Sequence, residues 1–447
     1  MSKDIRIKRG LTLRLEGEAE KELVKAPRSK TYAIKPPDFH THVPKMVVKE
    51  GAKLLAGDEL FYSKYTDEIR FTSPVSGVLK EIKRGDKRKI LEVIIEADAD
   101  IAYRDFGKLD AAKADVKDVK ERIYESGCGA FINQRPYDIV ADPKDTPKAI
   151  FISAVTTAPL AASKGFLVKD KIAAFQEGIT ALAKLTPGKV HLCVDEESAQ
   201  YLKDIKGVEL HHVKGPHPAG NVGVQIHKID PINRGERVWT VGVEDVAIIG
   251  NIFLTGQYRA ERTVAVTGSE AKDRNYYQVQ IGANIEDIIG SVSEDVRIIS
   301  GNVLTGTKLS NGQYLGFYDN ELSLIPEGNK YRMFGWLPFT YNNIHSNSRT
   351  SLSWLFPNKK YTPTTNLHGE ERALVVTGEM EEVLPMDVYP MQLIKACMAG
   401  DIEKMENLGI YEVAPEDFAL VEYVNTSKLE VQEVIRLGLD LMITEIG

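Results

Sequence analysis

The chain has 447 residues, 43% hydrophobic and 27% charged, with 57 basic against 64 acidic side chains, a net charge of −7 and a pI near 5.8. This is globular composition, which excludes a largely disordered chain; at roughly 150 residues per domain the length predicts about three domains, each able to bury a core. The acidic balance excludes a broadly basic nucleic-acid face. Only three cysteines are present, Cys128, Cys193 and Cys397, 65 and 204 positions apart. That spacing excludes a disulfide scaffold, a zinc ribbon and a self-contained iron–sulfur site, which takes about four thiolates.

No run approaches the ~20 apolar residues of a membrane span; the best, Ala149–Val155 and Val246–Leu254, are strand-sized. The charged opening Met1–Gly10 lacks the apolar core of a signal peptide, so a reducing, cytoplasmic setting is expected.

The first hundred residues read as β-structure. Met46–Leu60 has short apolar runs broken by Gly51 and Gly57, and Phe71–Leu79 reads as strand, Pro-Val-Ser-Gly turn and strand. A basic hairpin, Lys83–Lys89, leads into the alternating strand Ile90–Glu96. These paired stretches resemble the biotinyl/lipoyl-type barrel-sandwich hybrid. A carrier of that type needs a lysine about eight residues before Pro74; Thr66 stands there, with Lys64 two positions off, so a structural module without a swinging arm is expected. The basic hairpin is read as solvated turn charge, with contact to anionic lipid as the alternative.

Helices and strands alternate from about Asp110 to Gly250. Helices are expected over Ala111–Ser126, Asp170–Leu185 and Glu196–Ile205, and strands over Lys148–Val155, Lys189–Val194 and Gly207–Val213. This alternation predicts a Rossmann-like α/β domain with a parallel sheet. From Thr263 to Thr307, strand, strand, short helix and strand are compatible with a β-grasp fold. Leu315–Asn366 reads as loops and strands returning to an earlier domain. From Met391 the chain turns helical, ending in Lys428–Glu445 with apolar residues near helical spacing. The expected fold is multidomain α+β. It comprises a barrel-sandwich hybrid (1–100), a Rossmann-like α/β domain (101–258), an SLBB-like β-grasp domain (259–330), a connecting β/loop segment (331–380) and a C-terminal helical domain (381–447).

Two loops are candidate contact sites. Gly215-Pro-His217-Pro218-Ala-Gly220-Asn-Val-Gly223 follows a strand of the α/β domain, where ligands sit beyond the carboxyl ends of the strands. Its spacing fits neither G-x-G-x-x-G nor a P-loop, and it reads either as a ligand or partner loop or as a shaped connector. Ser126–Tyr137, with two glycines, reads as a helix-to-loop exit in which Arg135 and Tyr137 donate hydrogen bonds to a carbonyl or carboxylate, or as a domain-edge loop with a salt-bridged arginine. Phe39-His40-Thr41-His42 puts two imidazoles two positions apart, on one face if the segment is a strand. No carboxylate or cysteine pattern completes a metal site there, and His211-His212 and the His191/Cys193 pair are equally incomplete, so no metal site is expected. Cys128 reads as a buried small hydrophobe rather than a nucleophile, and no catalytic residue is assigned.

Several stretches together resemble a known family. They are Ile7–Leu11 (IKRGL), Phe71–Gly77 (FTSPVSG), Ile82–Arg88 (IKRGDKR), Asn133–Asp138 (NQRPYD), Lys148–Phe151 (KAIF) and Gly215–Gly220 (GPHPAG). Farther on come Phe253–Gly256 (FLTG), Val296–Thr307 (VRIISGNVLTGT), Phe334–Trp336 (FGW) and Val383–Asp387 (VLPMD). In order and spacing they resemble the A-subunit family of the bacterial Na+-translocating NADH:quinone oxidoreductases (Na+-NQR), itself similar to the NADH- and flavin-binding subunit of complex I and the C-subunit of Rnf complexes.

The resemblance implies a peripheral subunit on the cytoplasmic face of the bacterial inner membrane. It implies five other subunits as partners, above all the membrane B-subunit, and participation in ubiquinone interaction within a complex that couples NADH oxidation to sodium export. No cofactor is expected to be tightly bound in this chain, NAD and flavins residing on other subunits. Ile132–Pro136 replaces the longer glycine-rich flavin loop of the relatives, Cys397 stands alone where Rnf-type relatives carry cysteine clusters, and Leu304–Thr307 (LTGT) lacks the S-G-A-T flavin-attachment pattern. Phe39, His40, His42, Arg135, Pro136 and Tyr137 are the candidate quinone contacts. The alternatives are a purely structural docking subunit, an Rnf-like electron-transfer subunit, a free-standing NADH–flavin oxidoreductase and, least of all given Thr66, a biotin or lipoyl carrier.

Overall fold

The computed structural model describes residues 3–328, 333–334, 345–347, 352–375 and 377–446. Gly335 and Trp336 of the FGW stretch, and much of the 331–380 connecting segment, lie outside the described residues.

Strand Ala149–Ala154 is buried along its whole length because helices cover both faces of its sheet. Alternate residues point to opposite sides. Ile150 and Ile152 join the core of helices Ile172–Ala183 and Val243–Thr255, while Ala149 and Phe151 pack against helix Val222–Ile229. The sheet runs 4–6, 209–214, 189–194, 149–154, 238–241, 132–135, 139–140; the first five strands are parallel, 132–135 runs antiparallel to 238–241, and 139–140 antiparallel to 132–135. Two glycines let the covering helices touch backbone to backbone. A Cβ on Gly250 would lie 1.7 Å from the Ala174 carbonyl oxygen, and one on Gly178 would lie 2.0 Å from that of Val246.

A four-stranded sheet (31–34, 90–97, 77–84, 53–54) and a three-stranded sheet (44–46, 59–63, 70–72) form the barrel-sandwich module around Leu60, Phe61, Phe71, Leu79 and Val93. The β-grasp module is a six-stranded sheet, ordered 307–309, 296–300, 321–326, 261–267, 276–280, 23–25. Glu321–Pro326, near the end of the expected 259–330 unit, lies inside this sheet between Val296–Ser300 and Glu261–Thr267. The helical unit closes on Met391, Met405, Phe418, Ile435, Leu439 and Met442.

Several expected helices are shorter. Ala111–Ser126 becomes Val116–Glu125, because the Asp115 carboxylate accepts from the Asp118 amide and caps the start. Glu196–Ile205 contracts to Ala199–Leu202. The first thirty residues act as a strap across three units. Asp4–Arg6 is a parallel edge strand of the α/β sheet, Gly10 donates its amide to the Glu382 carbonyl at 3.0 Å, and Leu23–Lys25 is the edge of the β-grasp sheet.

Candidate functional site

Residues 39–42 are not a strand. They follow a 3-10 turn at Pro36–Asp38, and Thr41 sits at φ 67°, so the two imidazoles diverge instead of sharing a face. Phe39 is buried in an aromatic cluster, with ring centroids 4.1 Å from Phe71 and 4.8 Å from Phe317. The half-exposed His40 pairs through Nε2 with Asp440 Oδ1 at 2.7 Å. His42 Nδ1 lies 2.9 Å from Ser63 Oγ, and its Nε2 is buried without a partner. Burial, reinforced by neighbouring His40, lowers the His42 pKa to about 4, which keeps the ring neutral at pH 7.

The expected exit loop contains a strand. Ile132–Arg135 pairs antiparallel with Val238–Val241, carrying Arg135 into the interior at 1% exposure. Its Nη1 donates to Asp417 Oδ2 at 2.7 Å and its Nη2 to Glu416 Oε1 at 2.6 Å. The guanidinium is therefore a tie between the α/β unit and the C-terminal helices through Nη1 and Nη2, while its Nε is buried without a partner. Pro136 is buried after a cis peptide bond. Tyr137 is buried in the core of the helical unit, its ring edge-on to Tyr411 at 6.4 Å with the Arg237 guanidinium 5.6 Å away. Gly127, at φ 83°, brings this segment against the barrel-sandwich module, where a Cβ would lie 2.4 Å from Thr72 Oγ1.

Residues 39–42 and 135–138 converge on helix Val431–Glu445. Asp440 Oδ1 accepts from both His40 and Arg436 Nε, the latter at 3.0 Å, and Arg436 Nη1 reaches the Asp138 carbonyl at 3.5 Å. Arg436 Nη2 is buried without a partner. Arg436 and Asp440 escaped the sequence reading. The available signal was an Arg/Asp pair at i, i+4 on the last amphipathic helix, a pattern usually spent on solvent.

The Gly215–Gly220 loop is filled by its own chain. The Leu11 amide donates to the His217 carbonyl at 2.8 Å, His217 Nδ1 lies 3.1 Å from Thr157 Oγ1, and the Gly220 amide donates to Thr157 Oγ1 at 2.8 Å. Gly215 is pressed against the strap, where a Cβ would lie 2.5 Å from the Ile7 carbonyl oxygen, and the Pro218 carbonyl accepts from the Asn221 amide at 2.9 Å.

The sheet's switch point lies between strands 149–154 and 238–241, where ligands of doubly wound folds bind. The helix that starts there at Val243 carries Glu244 and Asp245 in its first turn. Glu244 accepts from Lys171 Nζ and, at 2.9 and 3.1 Å, from the Thr263 amide; Asp245 accepts from Arg262 Nη2 at 2.6 Å. Cys128 is buried nearby in the core, and burial pushes its thiol up to about 12. An open cavity of about 550 Å³, lined by Leu11, Arg14, His345, Trp354, Phe356 and Tyr361 among others, contains none of the predicted site residues.

Comparison with known proteins accounts for these units. Residues 5–98 match the family model of the NqrA N-terminal barrel-sandwich hybrid domain, 114–258 that of the NqrA second alpha/beta domain, and 263–311 that of the NQRA C-terminal domain. The A-subunit of the Na(+)-translocating NADH-quinone reductase from Marinomonas sp. is 34% identical over 98% of this chain and 99% of its own. The corresponding A-subunits from Cellvibrio japonicus and Neisseria meningitidis are 34% and 33% identical, over 97% and 98% of this chain and 98% of each of theirs. Among solved structures, an NAD+-reducing [NiFe]-hydrogenase in the H2-reduced state aligns with TM-score 0.39 and 11% identity over 75% of this chain and 61% of its own, a likeness too weak to carry an argument. Matched over nearly its full length, the chain belongs to the NqrA family, the A-subunits of the Na(+)-translocating NADH-quinone reductases.

Proposed function

We propose that this chain takes part in ubiquinone interaction within a Na+-translocating NADH:quinone reductase. It sits as a peripheral subunit on the cytoplasmic face, docked to the membrane subunits, the B-subunit above all. Among the described residues, no helix is long and apolar enough to cross a membrane. NADH and the flavins belong to sister subunits, and the coupling of electron transfer to sodium export takes place in the assembled complex. This chain contributes no tightly bound cofactor and no complete catalytic centre.

The observation that carries the quinone reading is the convergence of two sequence-distant segments on helix 431–445, with three orphaned nitrogens in them, His42 Nε2, Arg135 Nε and Arg436 Nη2. A quinone head group needs a partly apolar slot and one or two donors for its carbonyl oxygens. His42 Nε2 and Arg436 Nη2 are both buried without a partner, and in the tautomer in which Ser63 Oγ–H donates to His42 Nδ1 both are donors in want of an acceptor. The expectation of no flavin phosphate is supported by the switch point, where Glu244 and Asp245, ion-paired with Lys171 and Arg262, occupy the helix start that would otherwise receive an anion.

The test is a ubiquinone-analogue titration of the purified complex carrying His42→Gln or Arg436→Gln. Loss of one buried donor, neutral at His42 and charged at Arg436, is expected to weaken affinity about tenfold, leaving oxidation of NADH by an artificial acceptor intact. Unchanged quinone affinity in both folded variants would sink the reading. The second reading, a purely structural docking subunit, is favoured by the closure of Phe39 and Arg135 from solvent; it predicts unchanged quinone affinity but poorer co-purification of the other subunits when the Arg135 tie is cut.

A further inference from the structure

The parallel register of strands Lys189–Val194 and Glu209–Lys214 sets His191 opposite Glu209 and Cys193 opposite His211, so His191, Glu209 and His211 project from one face. His191 Nδ1 lies 3.0 Å from His211 Nε2 and 3.8 Å from Glu209 Oε2, and one ligand atom from each residue falls within 4.8 Å of the others. Two nitrogens bound at ~2.0–2.1 Å to a tetrahedral ion sit roughly 3.3 Å apart, so this pair needs only a few tenths of an ångström to open. Both histidines are buried, and Glu209 reaches partial solvent exposure, which provides an entry side.

We propose that His191 Nδ1, His211 Nε2 and Glu209 form a binding site for a divalent transition-metal ion of the Zn2+ class. Two imidazoles and one carboxylate are a ligand set that suits such an ion and leaves a fourth position for water. Without metal, the Lys3 amide donates to His211 Nδ1 at 3.1 Å, so the proton of the neutral His211 ring is on Nε2 and is shared with His191 Nδ1. An ion displaces that proton. Moved to Nδ1 of the same ring, with no net release, it faces the Lys3 N–H donor against donor. Metal binding therefore breaks one of the bonds that hold the start of the N-terminal strap, while the His212 amide still donates to the Lys3 carbonyl at 3.1 Å. Glu209 also neighbours Lys189 at 3.7 Å and must share its carboxylate. Affinity is accordingly modest, and the site is a metal-sensitive latch on the edge strand rather than a structural staple.

The full-length chain is titrated with Co2+, whose four-coordinate ligand-field bands report the site directly, and Lys3 amide exchange is followed in the same samples. One equivalent of cobalt is expected to give those bands, be displaced by Zn2+ and accelerate exchange at Lys3. His191→Gln and Glu209→Gln should each weaken binding by more than the about ten- to hundredfold that loss of an outer-shell partner costs, and His212→Gln, an exposed residue one position along, should leave it unchanged. Bands that survive His191→Gln and Glu209→Gln would mean adventitious binding elsewhere and overturn the proposal, as would no bands in the wild type. Binding without faster exchange at Lys3 would overturn the latch.

Discussion

Arg135→Met tests the claim that Arg135 is a tie between units. Arg135 and Asp417 are both about 1% exposed, and their contact is a single 2.7 Å charge-assisted bond. With the guanidinium gone, Asp417 Oδ2 keeps only the Ala414 amide at 3.0 Å, and Oδ1 already has no partner. An uncompensated buried carboxylate costs about 3–5 kcal/mol. Glu416, whose side chain is 41% exposed, adds only about 0–1 kcal/mol. Arg135→Met is therefore expected to destabilise by about 3–5 kcal/mol and to expose the C-terminal helices to protease before the rest of the chain. Adding Asp417→Leu removes the stranded charge and forfeits mainly the Ala414 hydrogen bond, about 1 kcal/mol, so the double variant should be more stable than Arg135→Met alone. Urea unfolding of the four proteins in the cycle measures this coupling. A loss below about 1 kcal/mol in Arg135→Met, or additive single effects, would refute the reasoning.

Gly250→Ala should lower the thermal midpoint, because the new methyl lies 1.7 Å from the Ala174 carbonyl oxygen and forces two packed helices apart. Overpacking of about 1–3 kcal/mol outweighs the ~1 kcal/mol gain in helix propensity, and an unchanged or raised midpoint would contradict the backbone contact. Glu327 is held at a pKa of about 2, chiefly by its two hydrogen bonds from Arg297 at 2.6 and 2.7 Å. Its folded pKa is depressed, so its contribution is present above the unfolded carboxylate range and is lost as pH falls toward 2. Wild type should exceed Glu327→Gln in stability at neutral pH, with the gap closing between about pH 4.5 and 2; a gap independent of pH across that window would exclude the ion pair as its source.

Local pattern alone located much of this chain. Lys189–Val194 and Val296–Ser300 are strands at the predicted positions, and Val431–Glu445 is a helix whose apolar spacing is visible by eye, because period and propensity act within a few residues. Tertiary structure decided what local pattern does not encode. The strap residues Asp4–Arg6 and Leu23–Lys25 are too short to declare a sheet, and their places were set by unpaired edges of strands 209–214 and 276–280. Arg135 has the same sequence neighbours whether it binds a ligand or a carboxylate; only its burial against Asp417, 282 positions away, distinguishes the two. His40 and Asp440 are separated by 400 residues, and His191 and His211 by 20 across a strand register that a one-residue slip would destroy. Periodicity tells a residue which way to face. Which groups meet there is fixed only when distant elements pack, because hydrogen bonds and ion pairs act over a few ångströms of space without regard to separation along the chain.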